Sequence, residues 1–342
     1  MKRKFLFLLL AVFGAVAFCS CEEEVDERES DELLRLQAYM SIHYPDARPT
    51  ESGLYVIIVQ EGTGATPSNS DFLLFEYTGQ NLDDYVFETT NKATAKLYDI
   101  YSPQIHYSAK YIQYNLSVPT IIKGLEEGFS HLKEGGVAKL IMPSKLAYGN
   151  TRHQGLLPYT SVIFDIKLNK VVAKPEEYEQ QLIEEYISEN YPDLVIEDAL
   201  VDGIYILEST LSDGFEIELP DSIGHEDVVK LYYTGTFFDD WVFDTNVIKI
   251  AKENDIYDSN RDYTPISVTV DTSDTDGSST HIKGFSLALK NLQTSTDAKI
   301  IIPSEFAYGK NGSSVINPYT PLIFDLKILT KTSLEDEGES VE

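Results

Sequence analysis

The sequence predicts an α+β protein made of two tandem domains. Three observations carry this. Short β-rich runs outnumber helical ones, one short helix fits among the strands of each half, and the whole pattern occurs twice. The first copy reads Tyr77-Thr78-Gly79, Ile122-Lys123-Gly124, Ala147-Tyr148-Gly149 and Phe164-Asp165. The second reads Tyr233-Thr234-Gly235, Ile282-Lys283-Gly284, Ala307-Tyr308-Gly309 and Phe324-Asp325. Tyr77 and Tyr233 lie 156 residues apart and Tyr148 and Tyr308 lie 160 apart, so the copies differ by a few loop residues. A period of that length marks a duplicated domain rather than a solenoid.

Residues 1–20 read as a lipoprotein leader. Lys2, Arg3 and Lys4 form a basic start, and the apolar stretch from Phe5 to Phe18 falls short of the ~18 residues of a spanning helix. Phe18-Cys19-Ser20-Cys21 then resembles a bacterial lipobox. Cys21, preceded by small Ser20, is the better lipid acceptor, because Cys19 follows bulky Phe18; cleavage nearby without a lipid is the alternative. Residues 21–30 are charged and read as a tether, in which Glu22-Glu23-Glu24 is either a spacer or similar to acidic signals for the cell surface.

From Asp31 to His43, Leu33, Leu34, Leu36 and Met40 recur at helical spacing behind Ser30 as an N-cap, and Tyr44-Pro45-Asp46 ends the run. Strands follow at Leu54–Val59, Phe72–Tyr77, Ala138–Met142 and Val162–Leu168, with a helix at Leu125–Leu132. The second half repeats this order. Pro175–Glu189, with Tyr178, Leu182, Ile183 and Tyr186, is its leading helix, ended by Tyr191-Pro192-Asp193. Its strands are Ile204–Glu208, Val228–Tyr233, Lys299–Ile302 and Leu322–Leu329, and its inner helix is Phe285–Leu292. Ala173-Lys174-Pro175 is the boundary, so the domains run 31–173 and 174–332, before an acidic tail over 333–342 that is expected to be disordered.

Composition excludes several functions. The only cysteines are Cys19 and Cys21, so the domains contain no disulfide or cysteine metal site and depend on packed cores. The net charge of −29, or −32 without residues 1–20, repels phosphate backbones and argues against nucleic-acid binding, while favouring solubility or a cationic partner. The six histidines show no metal-ligand spacing, so no metal is expected. Asp271, Asp274, Asp276 and Gly277 faintly resemble a calcium loop, but its acidic twelfth position falls on Lys283, which leaves a solvated turn as the better reading. Gly62-Thr63-Gly64 lacks the rest of a phosphate-binding fingerprint.

The repeated blocks resemble FK506-binding-protein (FKBP-type) peptidyl-prolyl cis-trans isomerase domains, over about Gly53–Val172 and Gly203–Thr330. The resemblance implies a curved antiparallel sheet wrapped around a short helix, and a cofactor-free isomerase acting on Xaa-Pro bonds. Such an enzyme needs no nucleophile or metal; it must bind the twisted imide better than either planar form. By this resemblance the first pocket falls on Tyr77, Phe87, Glu88, Ile121, Ile122, Leu125, Tyr148 and Phe164, with His153 above it. The second falls on Tyr233, Phe243, Asp244, His281, Ile282, Phe285, Tyr308 and Phe324. Tyr148 and Tyr308 would donate to one substrate carbonyl and the N–H groups of Ile122 and Ile282 to another.

Departures from the family pattern separate the domains. The pocket floor, usually tryptophan, is Leu125 in one and Phe285 in the other; the aspartate after the wall phenylalanine is kept as Asp244 but becomes Glu88. The second domain is therefore the better catalyst. Both domains also carry insertions, Thr89–Tyr111 and Thr245–Tyr263, readable as functional or as surface elaboration. The expected function is isomerase and folding helper for proline-containing polypeptides of the cell envelope, lipid-anchored to the outer membrane through Cys21. The alternatives are a non-catalytic module gripping a protein partner, and a surface protein capturing a nutrient or glycan.

Overall fold

A computed structural model describes residues 27–115, 121–212, 220–271 and 281–332. The leader, Cys21, most of the tether, the loop bearing Asp274, Asp276 and Gly277, and the acidic tail lie outside them. The first domain opens with α1 (Glu27–His43), which begins a turn before the apolar pattern does, so Ser30 lies inside the helix rather than capping it. Glu27 and Glu29 occupy the first turn, where carboxylates favour the positive end of the helix dipole.

The rest of the domain is β1 (Tyr55–Gln60), β2 (Phe72–Asn81), β3 (Val86–Thr89), α2 (Lys92–Leu97), β4 (Lys110–Gln113), α3 (Lys123–Phe129), β5 (Val137–Met142) and β6 (Val162–Val172). The sheet order is β1-β5-β6-β2-β3, with β4 also on β2, and each pairing is antiparallel. Strand β2 outruns its apolar segment because its pairing with β6 continues through Thr78↔Asp165 and Gly79↔Phe164 to Asn81↔Val162. The Tyr-Thr-Gly and Phe-Asp blocks are thus cross-strand neighbours. A register shift at Leu74/Phe75 marks a bulge, which bends and twists a strand.

The second domain repeats the plan with α4 (Pro175–Asn190), α5 (Ile196–Ala199), β7 (Leu200–Val201), β8 (Ile204–Leu211), β9 (Val228–Thr236), β10 (Val242–Thr245), α6 (Ile248–Glu253), β11 (Ile266–Thr269), α7 (Lys283–Leu289), β12 (Thr296–Ile302) and β13 (Leu322–Thr332). Its sheet runs β10-β9-β13-β12-β8-β7, with β11 on β9. Pro175 starts α4 at a position where its missing N–H breaks no helical bond.

Each sheet is apolar on both faces, for different partners. Inward residues such as Phe75, Leu140 and Phe164 pack on Leu125 and Phe129 of α3. Outward Ile141 and Ile163 pack on Leu36 and Met40 of α1. In the second domain Ile300 and Phe324 face Phe285 and Leu289, while Ile301 and Ile323 meet Ile183 and Ile187 of α4. Two-sided burial explains the unbroken apolar runs Leu140–Met142 and Ile300–Ile302.

The domains touch. Phe72 meets the edge of Tyr319 at 5.2 Å, and Tyr111 lies 6.2 Å from Tyr178 of α4. His106, in the first insertion, stacks on Phe237 (4.8 Å) and Trp241 (4.9 Å), with Nε2 2.7 Å from an Asp239 oxygen. A cavity of about 420 Å³ lies at this junction, lined by Tyr111, Tyr178, Phe237 and Tyr319 among others.

Candidate active sites

The repeated glycines are explained by what their missing side chains would strike. A Cβ on Gly79 would lie 2.7 Å from the Phe87 ring and 2.9 Å from Phe164; on Gly235 it would strike Phe243 and Phe324. The Tyr-Thr-Gly block therefore lets two wall phenylalanines close edge to face, at 5.8 Å in the first domain and 5.7 Å in the second. Its threonine ties β2 to β3 through Thr78–Thr89 (2.8 Å) and β9 to β10 through Thr234–Thr245 (2.9 Å). Gly149 and Gly309 follow the tyrosine at φ +60° and +58°, the left-handed region that glycine adopts freely. Asp165 and Asp325 make cross-strand ion pairs with Lys139 (2.5 Å) and Lys299 (3.3 Å) and hold the sheet rather than the groove.

In the first domain the structure brings Tyr77, Phe87, Glu88, Leu125, Tyr148, His153 and Phe164 together, with Ile121 and Ile122 partly buried against the same core. Tyr77 lies 5.7 Å from Phe164, and Leu125 is buried as the floor. The Glu88 carboxylate is not idle. It accepts a hydrogen bond from the Tyr148 hydroxyl at 2.9 Å. The His153 ring lies flat on Tyr148, centroids 3.8 Å apart, and edge-on to Phe87 at 6.0 Å. Its Nε2 is 3.9 Å from Glu88, beyond hydrogen-bond range. Phe87 is left 3% exposed. Burial, then the Glu88 charge, push the Tyr77 and Tyr148 hydroxyls well above the usual phenol range. Tyr148 is thus a firmly protonated donor whose proton is already engaged.

The second domain assembles Tyr233, Phe243, Asp244, Ile282, Phe285 and Phe324 in the same way, but its polar groups pair differently. Tyr233 donates to Asp244 at 2.6 Å. Arg261 donates to the Tyr233 hydroxyl at 2.8 Å and forms an ion pair with the other Asp244 oxygen. Tyr308 is 39% exposed, and among the described residues no hydrogen bond engages its hydroxyl. Burial, then the Asp244 charge, raise its pKa, so it too stays protonated. Phe285 supplies an aromatic floor 4.8 Å from Phe324 and 5.9 Å from Tyr233. His281 sits at the edge, 6.4 Å from Phe285, its pKa lowered by burial. The loop over this groove has Ser313 where the first has His153, so among the described residues no ring lies on Tyr308; the matched bonds His153 N–H to Leu156 O and Ser313 N–H to Ile316 O fix that correspondence.

Ile122 and Ile282 hold the N-cap positions of α3 and α7 in extended conformation, φ −61° and −62°. Their N–H groups find no acceptor among the described residues. Each domain therefore offers one backbone N–H and one phenol beside its aromatic residues.

Sequence reasoning missed two groups. Arg261 lies in the second insertion, whose backbone matches the first: the Tyr107 hydroxyl accepts from Ser102 N–H and the Tyr263 hydroxyl from Asp258 N–H, both at 2.9 Å. The register puts Ile105 opposite Arg261, so the first domain has no counterpart cation. The other missed group is a buried glutamate on each leading helix, Glu32 and Glu179, whose sign is a carboxylate on the apolar face, four residues before Leu36 and Ile183.

Fold and groove together define a tandem repeat of one α+β domain with an aromatic groove between sheet and inner helix. The family model for FKBP-type peptidyl-prolyl cis-trans isomerases matches residues 64–169 and 220–329, more than half of the chain. The chain belongs to that family. It is 26% identical over 169 residues to the FKBP-type peptidyl-prolyl cis-trans isomerase FkpA of Escherichia coli, covering 49% of this chain and 56% of FkpA. It is 31% identical over 121 residues to the outer membrane protein MIP of Legionella longbeachae, covering 35% of this chain and 45% of that protein. The chain thus spans about half the length of these relatives. A crystal structure of Escherichia coli FkpA aligns with 43% of this chain and 60% of its own, at a TM-score of 0.34 and 24% identity.

Proposed function

We propose that the second domain isomerises Xaa-Pro bonds and that the first binds proline segments with little or no turnover. The observation that carries this is the contrast between the two pocket tyrosines: Tyr308 is open and, among the described residues, unengaged, whereas Tyr148 is bonded to Glu88 beneath His153. Rotation about the imide must overcome roughly 18–20 kcal/mol of amide resonance. An apolar groove lowers that barrier by removing the water hydrogen bonds that favour the polar planar form, and donors held in place stabilise the twisted one. Phe243, Phe324 and Phe285 supply the walls and floor; Tyr308 Oη and the Ile282 N–H supply donors. The Asp244–Arg261 pairing neutralises the carboxylate and keeps it on Tyr233 instead of Tyr308. No cofactor is needed.

A binding role for the first domain is favoured by the same bond that disables its donor, together with the Leu125 floor. The leader with Cys21 as lipid acceptor, and the relative titled an outer membrane protein, support an exported, outer-membrane-anchored protein acting on proline-containing envelope polypeptides. The acidic surface suits a cationic protein partner.

The test is prolyl isomerisation of a short Xaa-Pro peptide by the full chain carrying Tyr308→Phe or Tyr148→Phe. Losing one neutral donor costs about 0.5–1.5 kcal/mol, so Tyr308→Phe lowers kcat/KM by up to about tenfold and Tyr148→Phe leaves it unchanged. Equal losses from both variants would overturn the division of labour. No turnover by the wild type would overturn the enzyme reading and leave two binding domains.

A further inference from the structure

We propose that Glu179 is a positioning residue for Tyr308, and Glu32 its counterpart for Tyr148: each leading helix holds the turn that presents the pocket tyrosine. This inference rests on the reading of Tyr308 as a donor.

The leading helices are duplicated as strictly as the grooves. Glu32, Leu36 and Met40 are buried on α1, and Glu179, Ile183 and Ile187 on α4, each pair 147 residues apart. Leucine and isoleucine on that face are expected; glutamate is not, since an unpaired buried carboxylate is strongly disfavoured. These two are 5% and 7% exposed and fully employed. Glu179 Oε1 accepts the Ser304 N–H at 2.5 Å and Oε2 accepts the Ser304 hydroxyl at 2.6 Å. Glu32 does the same to Ser144, at 2.5 and 2.6 Å, and also accepts from the Ser161 hydroxyl at 2.7 Å. Pro321 stands where Ser161 does, so Glu179 has two donors where Glu32 has three.

Ser144 and Ser304 begin the 3-10 turns Ser144–Leu146 and Ser304–Phe306. The preceding residues, Pro143 and Pro303, have no side chain able to cap the first N–H. The glutamate is that cap, supplied from a helix more than a hundred residues away. The turn then leads straight to the tyrosine. Ser144 O accepts from the N–H groups of Ala147 and Gly149, both at 2.8 Å, which bracket Tyr148; Ser304 O accepts from Ala307 at 2.9 Å, the residue before Tyr308. Carboxylate, serine, turn and tyrosine form one chain of contacts from the outer face of the sheet to the groove. No other polar group of α4 reaches that turn among the described hydrogen bonds, so the helix positions the tyrosine through this carboxylate.

The experiment is a double-mutant cycle in the full chain with Glu179→Ala and Tyr308→Phe, followed by Xaa-Pro peptide turnover and by amide hydrogen exchange. Glu179→Ala is expected to lower kcat by no more than the loss seen for Tyr308→Phe, about tenfold at most, with KM little changed. Added to Tyr308→Phe it is expected to cause no further loss, because both act at one hydroxyl. Glu179→Gln, which still accepts the Ser304 N–H, restores part of the rate. Exchange at the Phe306 and Ala307 amides, which bond Pro303 O and Ser304 O, is expected to quicken in Glu179→Ala while the β12 and β13 amides keep their protection. Additive losses, or unchanged exchange at Phe306 and Ala307, would overturn the positioning role. If Tyr308→Phe by itself is fully active, the donor reading fails instead, and the exchange data still decide whether Glu179 holds the turn. Should Glu179→Ala fail to fold, Ser304→Ala removes only the 2.6 Å bond and is expected to show the same non-additivity.

Discussion

Replacing Glu88 by aspartate in a Tyr308→Phe background, where the second groove is weakened, asks whether the first groove's own carboxylate silences it. The Tyr148–Glu88 bond, at 2.9 Å, joins a hydroxyl to a charged acceptor in a partly buried site. Such bonds contribute about 1.5–3 kcal/mol. Tyr148 gives up that bond before it can donate to a substrate carbonyl, which corresponds to roughly a ten- to hundredfold handicap at 1.36 kcal/mol per decade. Removing one methylene draws the carboxylate back by about 1.5 Å, which carries a 2.9 Å contact past hydrogen-bond range. Tyr77, already beside Glu88, is then left as its phenolic partner, as Tyr233 is for Asp244. The first groove's contribution to kcat/KM for a short Xaa-Pro peptide, read as the part of the residual rate that a further Tyr148→Phe removes, is expected to rise about tenfold, short of the full range because Leu125 still leaves the floor without a ring. Thermal unfolding run beside the assay separates this gain from a change in folded fraction. A contribution that stays level or falls in Glu88→Asp would refute the reasoning, since the bond would then not be what restrains Tyr148.

Two further outcomes follow from the second groove. Arg261→Met removes the partner that keeps Asp244 on Tyr233, so the carboxylate turns toward Tyr308; kcat/KM is expected to fall toward the level of the first domain, and Arg261→Lys, lacking the two-pronged geometry, is expected not to restore it. Burial depresses the His281 pKa below its ordinary value of 6.5, so the folded state binds this proton more weakly than the unfolded chain. Stability from this group is present at neutral pH and declines as pH falls through 6.5, and His281→Gln is expected to flatten that slope in denaturant titrations from pH 7.5 to 5.5.

The duplication and the α+β class were legible in the chain because they rest on local spacing, whereas the aromatic residues of both grooves were implied by the family resemblance of the repeated blocks. Strand ends were less legible. Strand β2 runs on to Asn81 because β6 pairs with it there, a long-range term that no local pattern contains.

What the sequence could not decide is which polar groups meet. Glu88 for aspartate was visible as a departure from the family pattern; only the fold shows that the longer side chain reaches Tyr148 and occupies it. Arg261 sits 17 residues beyond its partner in an insertion with no recognisable motif, and Glu179 is 125 residues from Ser304. Hydrophobic periodicity is written along the chain because burial acts on each residue by itself. A hydrogen bond or ion pair depends on two atoms meeting within about 3 Å, and when those atoms belong to distant segments, only the tertiary structure sets that distance.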